Sequence, residues 1–401
     1  MPSGRGARIG LAVRSARLRW YTLVRTGSVL APLSATTVGR FRIMARREVF
    51  ARFGAGRLPI QIAASIAWTI GAFYDCARAV VRRRPGAAPG IAGFLRMYRV
   101  ALAHNISVGE YRRYQLDRPE HRDAMGDYVC WTDRAAIVGL SARRGADVED
   151  VHDKHRFAQV CGAHGLACVP TLAVFEGGRQ VFPAEAFSPD APRLWEKALR
   201  LSGGAGARRW IKNGDVFHAS DDSAVPASKL AEVLRLRDCI VQPVIENHSA
   251  LAGLGSGALA SVRIITGMDD QGAAHAVAAY ISPPHGASLT SMNDVARGVD
   301  LATGLVNKPL RSAPTPLAGA LKSGHALDGL QLPDWPEALE LVRRAHAVAF
   351  SRFAFLGWDV ALTPTGPLLL ETNLGWHIVT LQALVGPLGR TVFSALLEQY
   401  L

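Results

Sequence analysis

The chain has 401 residues, about half of them apolar, which excludes a disordered protein and is enough for two or three domains of roughly 150 residues. Of its 46 basic and 33 acidic residues, sixteen arginines but only two acids lie in residues 1–84, so the other 317 residues are nearly neutral. The globular part therefore needs no polyanionic partner, and nucleic-acid binding through the basic arm is a separate hypothesis.

The five cysteines are odd in number and widely spaced, and none forms a CxxC pair. This pattern predicts neither a disulfide framework nor a zinc site and fits a reducing cytoplasm. The first twenty residues have arginines where a secretory signal would need an apolar core, whereas their composition leaves an organelle transit peptide open.

Residues 58–74 carry no charge and are flanked by arginines. Ile62, Ile66 and Ile70 recur every four residues, which predicts one apolar face of a helix. Three interpretations are open. The helix packs on the protein body, or it lies on the surface of anionic lipid. A single membrane span is the third, although the segment is shorter than the roughly 20 residues that a crossing needs.

The breaker-rich run RRRPGAAPG, residues 82–90, predicts a linker that ends a basic helical arm of residues 1–90. Residues 91–150 mix charge and aromatic residues at helical spacing and are predicted to be helical. Beyond residue 150 helix and strand alternate. Residues 151–164 are predicted to form a helix, and CVPTLAVF a strand closed by Gly177 and Gly178.

Two strands with a glycine-rich loop between them occupy the centre of the chain. The strand RLWEKALRL carries Lys197 and precedes Gly203, Gly204 and Gly206, which let backbone amides approach phosphate oxygens. No Gly-Lys-Ser/Thr follows, so this is not a Walker loop. The strand DCIVQPVI comes next, followed by ALASVRIITGM, which carries Arg263.

The last third contains the strand HAVAAYIS, a helix over residues 335–353 and the segment GWDVALTPTGPLLLETN. The turn TPTG predicts an antiparallel hairpin, in which Glu371 and Asn373 face one side and Asp359 reaches that side if the register is right. Two carboxylates and an amide are hard oxygen donors of the kind that hold Mg²⁺ beside substrate phosphates. Strands clustered with few helices between them predict an α+β fold with antiparallel sheets.

Together these segments resemble the sugar-transfer-associated branch of the ATP-grasp superfamily over about residues 95–385. The segments that carry the resemblance are NISVGEYRRYQLDRPEHR, DKHRFAQVCGAHGL, IVQPVIENHSALAGL, ALASVRIITG, VDLATG and GWDVALTPTGPLLLETN. The resemblance implies an N-terminal helical region followed by two α+β subdomains that grip ATP, residues 151–243 with the nucleotide flap and residues 244–401 with the metal site.

The resemblance also implies roles for particular residues. Arg263 and Lys197 would be catalytic, Arg263 by stabilising the transferred phosphoryl group, although a structural ion pair is the alternative for Arg263. The flap over residues 202–206 would close on the phosphates, and residues 242–246 would form the hinge against adenine. The residues implied to bind ATP are Lys154, Lys197, Ser202, Gly203, Gly204, Gly206, Gln242, Pro243, Val244 and Glu246. Those implied to hold one or two Mg²⁺ or Mn²⁺ ions are Asp359, Glu371 and Asn373, with Asn293 as a further candidate.

The function implied is an ATP- and Mg²⁺-dependent ligase that joins a carboxylate to an amine through an acylphosphate, in the biosynthesis of a cell-surface polysaccharide or glycan precursor. Two alternatives stay open: a phosphotransferase on the same scaffold, and a non-catalytic nucleotide-binding protein docked on a membrane. The expected partners are small or glycan-linked acids and amines and an anionic membrane surface that residues 1–84 contact. The expected location is the cytoplasm, peripheral to the inner membrane face. The sequence does not indicate an oligomeric state.

Overall fold

The structure is a computed structural model, and it describes residues 36–82, 90–201, 204, 206–254, 258–284, 296–307 and 327–401. Most of the predicted linker at residues 82–90, the flap residues Ser202 and Gly203, and the candidate ligand Asn293 lie outside the described residues.

Helices fill the N-terminal part of the described chain, and strands fill its middle. The helices are α1 (Thr37–Ala51), α2 (Arg57–Val81), α3 (Gly90–His104), α4 (Val108–Arg113), α5 (Pro119–Arg122), α6 (Arg134–Arg143), α7 (Glu149–His152), α8 (Lys154–Ala163), α9 (Leu230–Leu234), α10 (Trp335–Ala349), α11 (Ile378–Val385) and α12 (Val392–Glu398). The strands are β1 (Ala173–Glu176), β2 (Arg179–Phe182), β3 (Arg193–Ala198), β4 (Arg208–Asn213), β5 (Val216–Ala219), β6 (Ala224–Pro226), β7 (Cys239–Pro243), β8 (Ser261–Met268), β9 (Ala274–Ser282), β10 (Arg297–Val299), β11 (Phe355–Thr363) and β12 (Gly366–Asn373).

The chain forms two compact units, one of Met1–Gly139 with His377–Leu401 and the other of Leu140–Trp376. The predicted division at residue 244 falls inside the second unit, between β7 and β8, and the predicted subdomain 244–401 contains parts of both units. The α+β class, the antiparallel sheets and the N-terminal helical region are as predicted.

The first unit is helical, and buried polar side chains hold its segments together. Gln382 of α11 accepts a hydrogen bond from the backbone N–H of Val129 at 2.9 Å and donates one to the Val129 carbonyl at 2.7 Å. Arg42 of α1 forms a buried ion pair with Asp133, with Nη2 and Oδ2 2.7 Å apart. Each of these contacts satisfies groups that would be costly to leave unpaired in the interior, so the C-terminal helices belong to this core.

Helix α2 packs through a different face from the one that its isoleucines mark. The buried residues of α2 are Ala64, Trp68, Ala72, Cys76 and Ala79. Small alanines allow a neighbouring helix to approach closely, and Trp68 packs with Ala72 against Ala101 of α3. Ile62, Ile66 and Ile70 are exposed instead. Among the described residues, no helix is both long and apolar enough to cross a membrane.

The second unit contains a seven-stranded sheet in the order β2-β1-β7-β3-β4-β5-β6, whose named strands pair antiparallel. The predicted strands around Lys197 and Gln242 are β3 and β7, whereas β4, β5 and β6 were not predicted. The predicted helix over residues 151–164 is two helices, because Asp153 is extended. Its side chain accepts hydrogen bonds from the N–H groups of His155 and Arg156 and thereby starts α8.

The same unit contains a five-stranded antiparallel sheet in the order β10-β9-β8-β11-β12. Helix α10 covers one face of it. His346 of α10 contacts the Thr266 hydroxyl at 2.7 Å, and Trp358 Nε1 donates to that same hydroxyl at 2.7 Å. Since side chains alternate along a strand, Asp359 faces the side opposite to Trp358. The face of the sheet that α10 covers is buried, and polar residues such as Asp359 project from the opposite face.

Candidate nucleotide and metal site

The predicted hairpin of β11 and β12 is present, and an irregularity in it sets which residues face the site. Asp359 pairs with Glu371, whereas its neighbour Val360 pairs with Leu369, so Leu370 is an extra residue. A strict alternation would place Leu369 on the face of Glu371. The bulge at Leu370 lets Leu369 stay in the core while Glu371 is only partly buried and faces the other side.

One row of directly paired residues crosses the five-stranded sheet. Glu371 of β12 lies opposite Asp359 of β11, and Asp359 lies opposite Arg263 of β8. Arg263 in turn lies opposite the buried Tyr280 of β9. Residues that pair directly across antiparallel strands project from the same face. The structure therefore brings three predicted site residues together, along with Tyr280, which sequence reasoning missed because its position in the row depends on strand register.

Arg263 and Asp359 form a bidentate ion pair. Arg263 Nε donates to Asp359 Oδ1, and Nη2 donates to Oδ2 at 2.8 Å. Burial alone would lower the pKa of Arg263, but the charge and hydrogen bonds of Asp359, with the neighbouring Tyr280 and Glu371, together outweigh burial and raise that pKa, so the guanidinium stays charged. The ion pair is the contact that the structural alternative for Arg263 expects, and a catalytic role for Arg263 stays a prediction.

The carboxyl groups of Asp359 and Glu371 have opposite pKa shifts. Burial raises the pKa of Asp359 against the effect of Arg263, and the adjacent Glu371 adds to the rise. Burial would also raise the pKa of Glu371, but the charges of Lys197 and Lys154 lower it below its usual value. Two neighbouring acids in a buried site disfavour simultaneous ionisation. A cation between them would relieve that repulsion.

The donor set suits a hard divalent cation. Asn373 Nδ2 donates to Glu371 Oε1 at 3.2 Å, so the amide lies next to the carboxylate and its oxygen is the atom that a cation would take. Within the described part of the chain no cluster of three or more His, Cys, Asp and Glu side chains could hold a metal. The oxygen donors of two carboxylates and one amide fit Mg²⁺ or Mn²⁺ when further oxygens come from a phosphate substrate.

Two lysines lie on the seven-stranded side of the site. Lys154 is the first residue of α8, and its Nζ donates to the Leu201 carbonyl at 2.6 Å, where the chain enters the glycine-rich loop. Burial lowers the pKa of Lys154, the carboxylate of Glu371 opposes that shift, and the charge of Lys197 contributes to it. These couplings place Lys154, Lys197 and Glu371 within electrostatic reach of one another. With Arg263 the site has three cationic groups and two carboxylates, which favours a polyanionic ligand.

A buried polar cluster joins β3 and β4, the two strands on either side of the glycine-rich loop. Glu196 of β3 accepts from Arg208 Nε at 2.8 Å, from Arg208 Nη2 at 2.9 Å and from Trp210 Nε1 at 2.9 Å. Gly204 and Gly206 have φ of +72° and +75°, a conformation that residues with a side chain rarely adopt. The cluster was missed because a Glu and an Arg twelve residues apart give no signal before the β3–β4 pairing is known.

The predicted hinge residues end β7 and continue beyond it, along the start of β3. Gln242 is buried and pairs with Trp195, and the Val244 N–H donates to the Arg193 carbonyl at 3.4 Å. Glu246 forms an ion pair with Arg193 at 2.5 Å, and both side chains are half exposed. Pro243, the last residue of β7, pairs with Leu194. The hinge is thus anchored on the strand that carries Lys197, whereas its contact with a nucleotide base stays a prediction.

Solved structures that are similar to this chain include a synthetase, a ligase and a synthase. D-alanyl-alanine synthetase A of Vibrio cholerae is 13% identical at a TM-score of 0.35, with 62% of this chain and 64% of that chain covered. L-amino acid ligase of Bacillus licheniformis is 13% identical at 0.33, with 62% and 50% covered. Carboxyaminoimidazole ribonucleotide synthase of Aspergillus clavatus, complexed with ATP, is 13% identical at 0.32, with 56% and 45% covered. This chain spans about half of the length of the last two, and similarity at this level transfers no activity.

No curated protein matches the chain. The profile of the family described as sugar-transfer associated ATP-grasp, however, matches residues 141–388, which is more than half of the chain. The matched range contains β1 to β12 and every predicted site residue from Lys154 to Asn373. The chain therefore belongs to the sugar-transfer associated ATP-grasp family.

Proposed function

We propose that the protein is an ATP- and Mg²⁺-dependent ligase that joins a carboxylate to an amine through an acylphosphate. The single observation that carries this proposal is the row of Glu371, Asp359 and Arg263 across three strands, with the charges of Lys197 and Lys154 acting on Glu371. The row offers carboxylates for a metal next to cations for phosphates. The family's association with sugar transfer supports a substrate in the biosynthesis of a cell-surface polysaccharide or glycan precursor.

In this proposal different residues of the site bind the phosphates, the base and the transferred phosphoryl group of ATP. Lys154 and Lys197 neutralise phosphate oxygens, and the backbone amides of residues 202–206 approach the same oxygens. Residues 242–246 hold the base. Arg263, already fixed by Asp359, faces the phosphoryl group in transfer and offsets the negative charge that develops there. Preorganised by its ion pair, Arg263 needs little rearrangement when the charge appears.

Asp359, Glu371 and Asn373 would hold one or two Mg²⁺ or Mn²⁺ ions. When bound, such an ion would neutralise phosphate oxygens and orient the triphosphate for in-line transfer. The bidentate contact of Arg263 keeps Asp359 in a fixed orientation, and the Asn373 amide does the same for Glu371 at 3.2 Å.

The proposed reaction has two balanced steps. A substrate carboxylate oxygen attacks the γ-phosphorus of ATP, the bond from that phosphorus to the bridging oxygen breaks, and ADP leaves an acylphosphate. An amine nitrogen then attacks the acyl carbon, the carbon–oxygen bond to phosphate breaks, and the nitrogen loses a proton. The products are an amide, ADP and inorganic phosphate. Exclusion of water and positioning of both substrates would supply most of the acceleration, because the chemistry needs no side-chain nucleophile.

The test is to assay the full chain with ATP and Mg²⁺ against a panel of sugar acids and amino acids, with and without amines. A ligase releases phosphate only when acid and amine are both present, and hydroxylamine in place of the amine gives a hydroxamate. Glu371→Gln is the inactive comparison, and Glu340→Gln, an exposed residue of α10, is the matched control. Phosphate found on a substrate hydroxyl without release would instead identify a phosphotransferase. ATP binding without ADP formation on any acid and amine would contradict catalysis.

A further inference from the structure

Helix α2 exposes its large apolar side chains and buries its small ones. Leu58, Ile62, Ile66 and Ile70 lie four residues apart along the helix and are 65%, 49%, 56% and 65% exposed. The buried side of the same helix consists largely of alanines. In a helix whose only contact is its own protein, the larger apolar residues are expected on the buried side. The distribution on α2 is the reverse.

The apolar surface extends beyond this stripe. Phe73 and Tyr74, near the C-terminal end of α2, are also exposed. The Phe73 ring packs edge-on against Phe94 of α3 at 5.1 Å, which connects the stripe to a second helix. Helix α3 exposes Ile91 and Leu95, again four residues apart. We call the exposed apolar residues of α2 and α3 the apolar face. Large apolar side chains that are exposed together on two packed helices are typical of an interaction site.

The charges around the apolar face have one predominant sign. Arg57 stands at the start of α2, and Arg78 and Arg82 stand at its end, all exposed. Asp75 is the one acid in residues 57–82. The excess of positive charge continues along the chain before the helix, since residues 1–35 contain six arginines and no acid. A partner that offers both an apolar layer and negative charge matches this arrangement, and an anionic lipid bilayer is that partner.

We propose that the apolar face of α2 and α3 docks the protein on the surface of an anionic lipid bilayer. The helix lies in the plane of the interface, with the isoleucines among the acyl chains and the arginines at the headgroups. From Leu58 to Tyr74 the stripe is about 24 Å long at 1.5 Å per residue. This inference rests on the first unit alone and does not depend on the proposed ligase activity.

The test measures binding of the full chain to sedimented vesicles, either of phosphatidylcholine alone or of phosphatidylcholine and phosphatidylglycerol in equal parts. The double variant Ile66→Gln with Ile70→Gln removes apolar contact. Leu236→Gln with Val348→Gln, two exposed apolar residues of the second unit, is its matched control. Arg78→Gln with Arg82→Gln removes charge, and Arg235→Gln with Arg237→Gln is its control. Because all eight side chains are exposed, the thermal midpoints should stay close to that of the wild type.

The wild type is expected to bind the mixed vesicles more tightly than the neutral ones, and less so at high salt. The isoleucine pair should weaken binding by about tenfold or more, because it removes most of the apolar contact at the centre of the stripe. The arginine pair should reduce both affinity and salt dependence, and neither control should change binding. Wild-type affinity in the isoleucine variant would overturn the proposal. A dimer in solution that this variant dissociates, without vesicle binding, would overturn it in favour of a second copy on the face.

Discussion

At the scale of single residues, Asp359 interacts with both of its cross-strand neighbours. It accepts two hydrogen bonds from Arg263 on one side and lies next to Glu371 on the other. A buried ion pair contributes little net stability, but removing one partner leaves an uncompensated charge. A loss of activity on mutation of Asp359 is therefore ambiguous by itself, because unfolding and loss of metal binding would have the same effect.

A pair of variants separates the two roles. Asp359→Asn should lower the free energy of unfolding by about 3 kcal/mol, because it leaves Arg263, whose side chain is only 13% exposed, without its carboxylate. Arg263→Met combined with Asp359→Leu should recover most of that stability in urea unfolding, while ATP turnover stays at background. Recovery of turnover together with stability would show that the pair is only structural. The double-mutant comparison is informative because the two residues are in direct contact.

His346 makes stability depend on pH through a group away from the candidate ligands. It is fully buried, with Nε2 at 3.0 Å from the Phe353 carbonyl, and Trp358 donates to the Thr266 hydroxyl that His346 Nδ1 contacts. Because the Phe353 carbonyl can only accept, Nε2 carries the proton, and in the neutral ring Nδ1 accepts from the Thr266 hydroxyl. Burial lowers the pKa of His346 from 6.5 to about 3.

The sign of the pH effect follows from this depressed pKa. The unfolded chain binds the proton as pH falls below 6.5, whereas the folded chain does so only near 3, so the contribution is complete above 6.5 and is lost on acidification. Between pH 6.5 and 4 the wild type should lose up to about 1.4 kcal/mol per pH unit relative to His346→Gln. Urea unfolding at several pH values measures this difference, and parallel curves for the two proteins would refute the assignment.

At the scale of elements, close packing at Gly357 holds β11 against the end of the hairpin. A Cβ at this position would lie 2.5 Å from Trp376 Cβ and 3.4 Å from Arg263 Cδ. Gly357 is also the direct partner of Asn373 on β12. The absence of a side chain there thus allows Trp376 to cover the strand beside two predicted site residues.

Gly357→Ala should therefore destabilise the fold by about 1–3 kcal/mol and weaken ATP binding, because Trp376 or the strand must move. Gly162→Ala is the matched control. Gly162 lies in α8 with no atom within 4 Å of an added Cβ, so this change should be neutral or stabilise by up to about 1 kcal/mol. Thermal unfolding compares the two variants, and equal midpoints would contradict the packing argument.

The hairpin and the central strands could be predicted because their signals are local. The TPTG turn joins two apolar runs, and Glu371 and Asn373 are two residues apart, so their shared face follows from alternation alone. The bulge at Leu370 could not be predicted, since three leucines in a row do not indicate which of them is extra. The strands β4 to β6 were missed because they alternate weakly and gain their stability from pairing.

At the scale of the whole molecule, the family match covers residues 141–388, whereas the first unit is built mainly from residues before 140. The periodicity of α2 predicted a helix correctly but did not predict which face is buried. From the sequence alone, Ile62, Ile66 and Ile70 would be expected in the core, whereas they are exposed. Small alanines decide the packing face, and only the neighbouring helix reveals that. The same limit applies to the site: Lys197 and Glu371 are 174 residues apart, and only the resemblance to a family related them.

The most direct test of the central claim is calorimetric titration of the full chain with ATP, once with Mg²⁺ and once with EDTA. The site predicts that the wild type binds ATP at least about tenfold more tightly with Mg²⁺. Glu371→Gln should lose this gain and keep the weaker metal-independent binding through Lys154 and Lys197, while Glu340→Gln should behave as the wild type. A Glu371→Gln variant with the metal dependence of the wild type, or a wild type that does not bind ATP, would contradict the account.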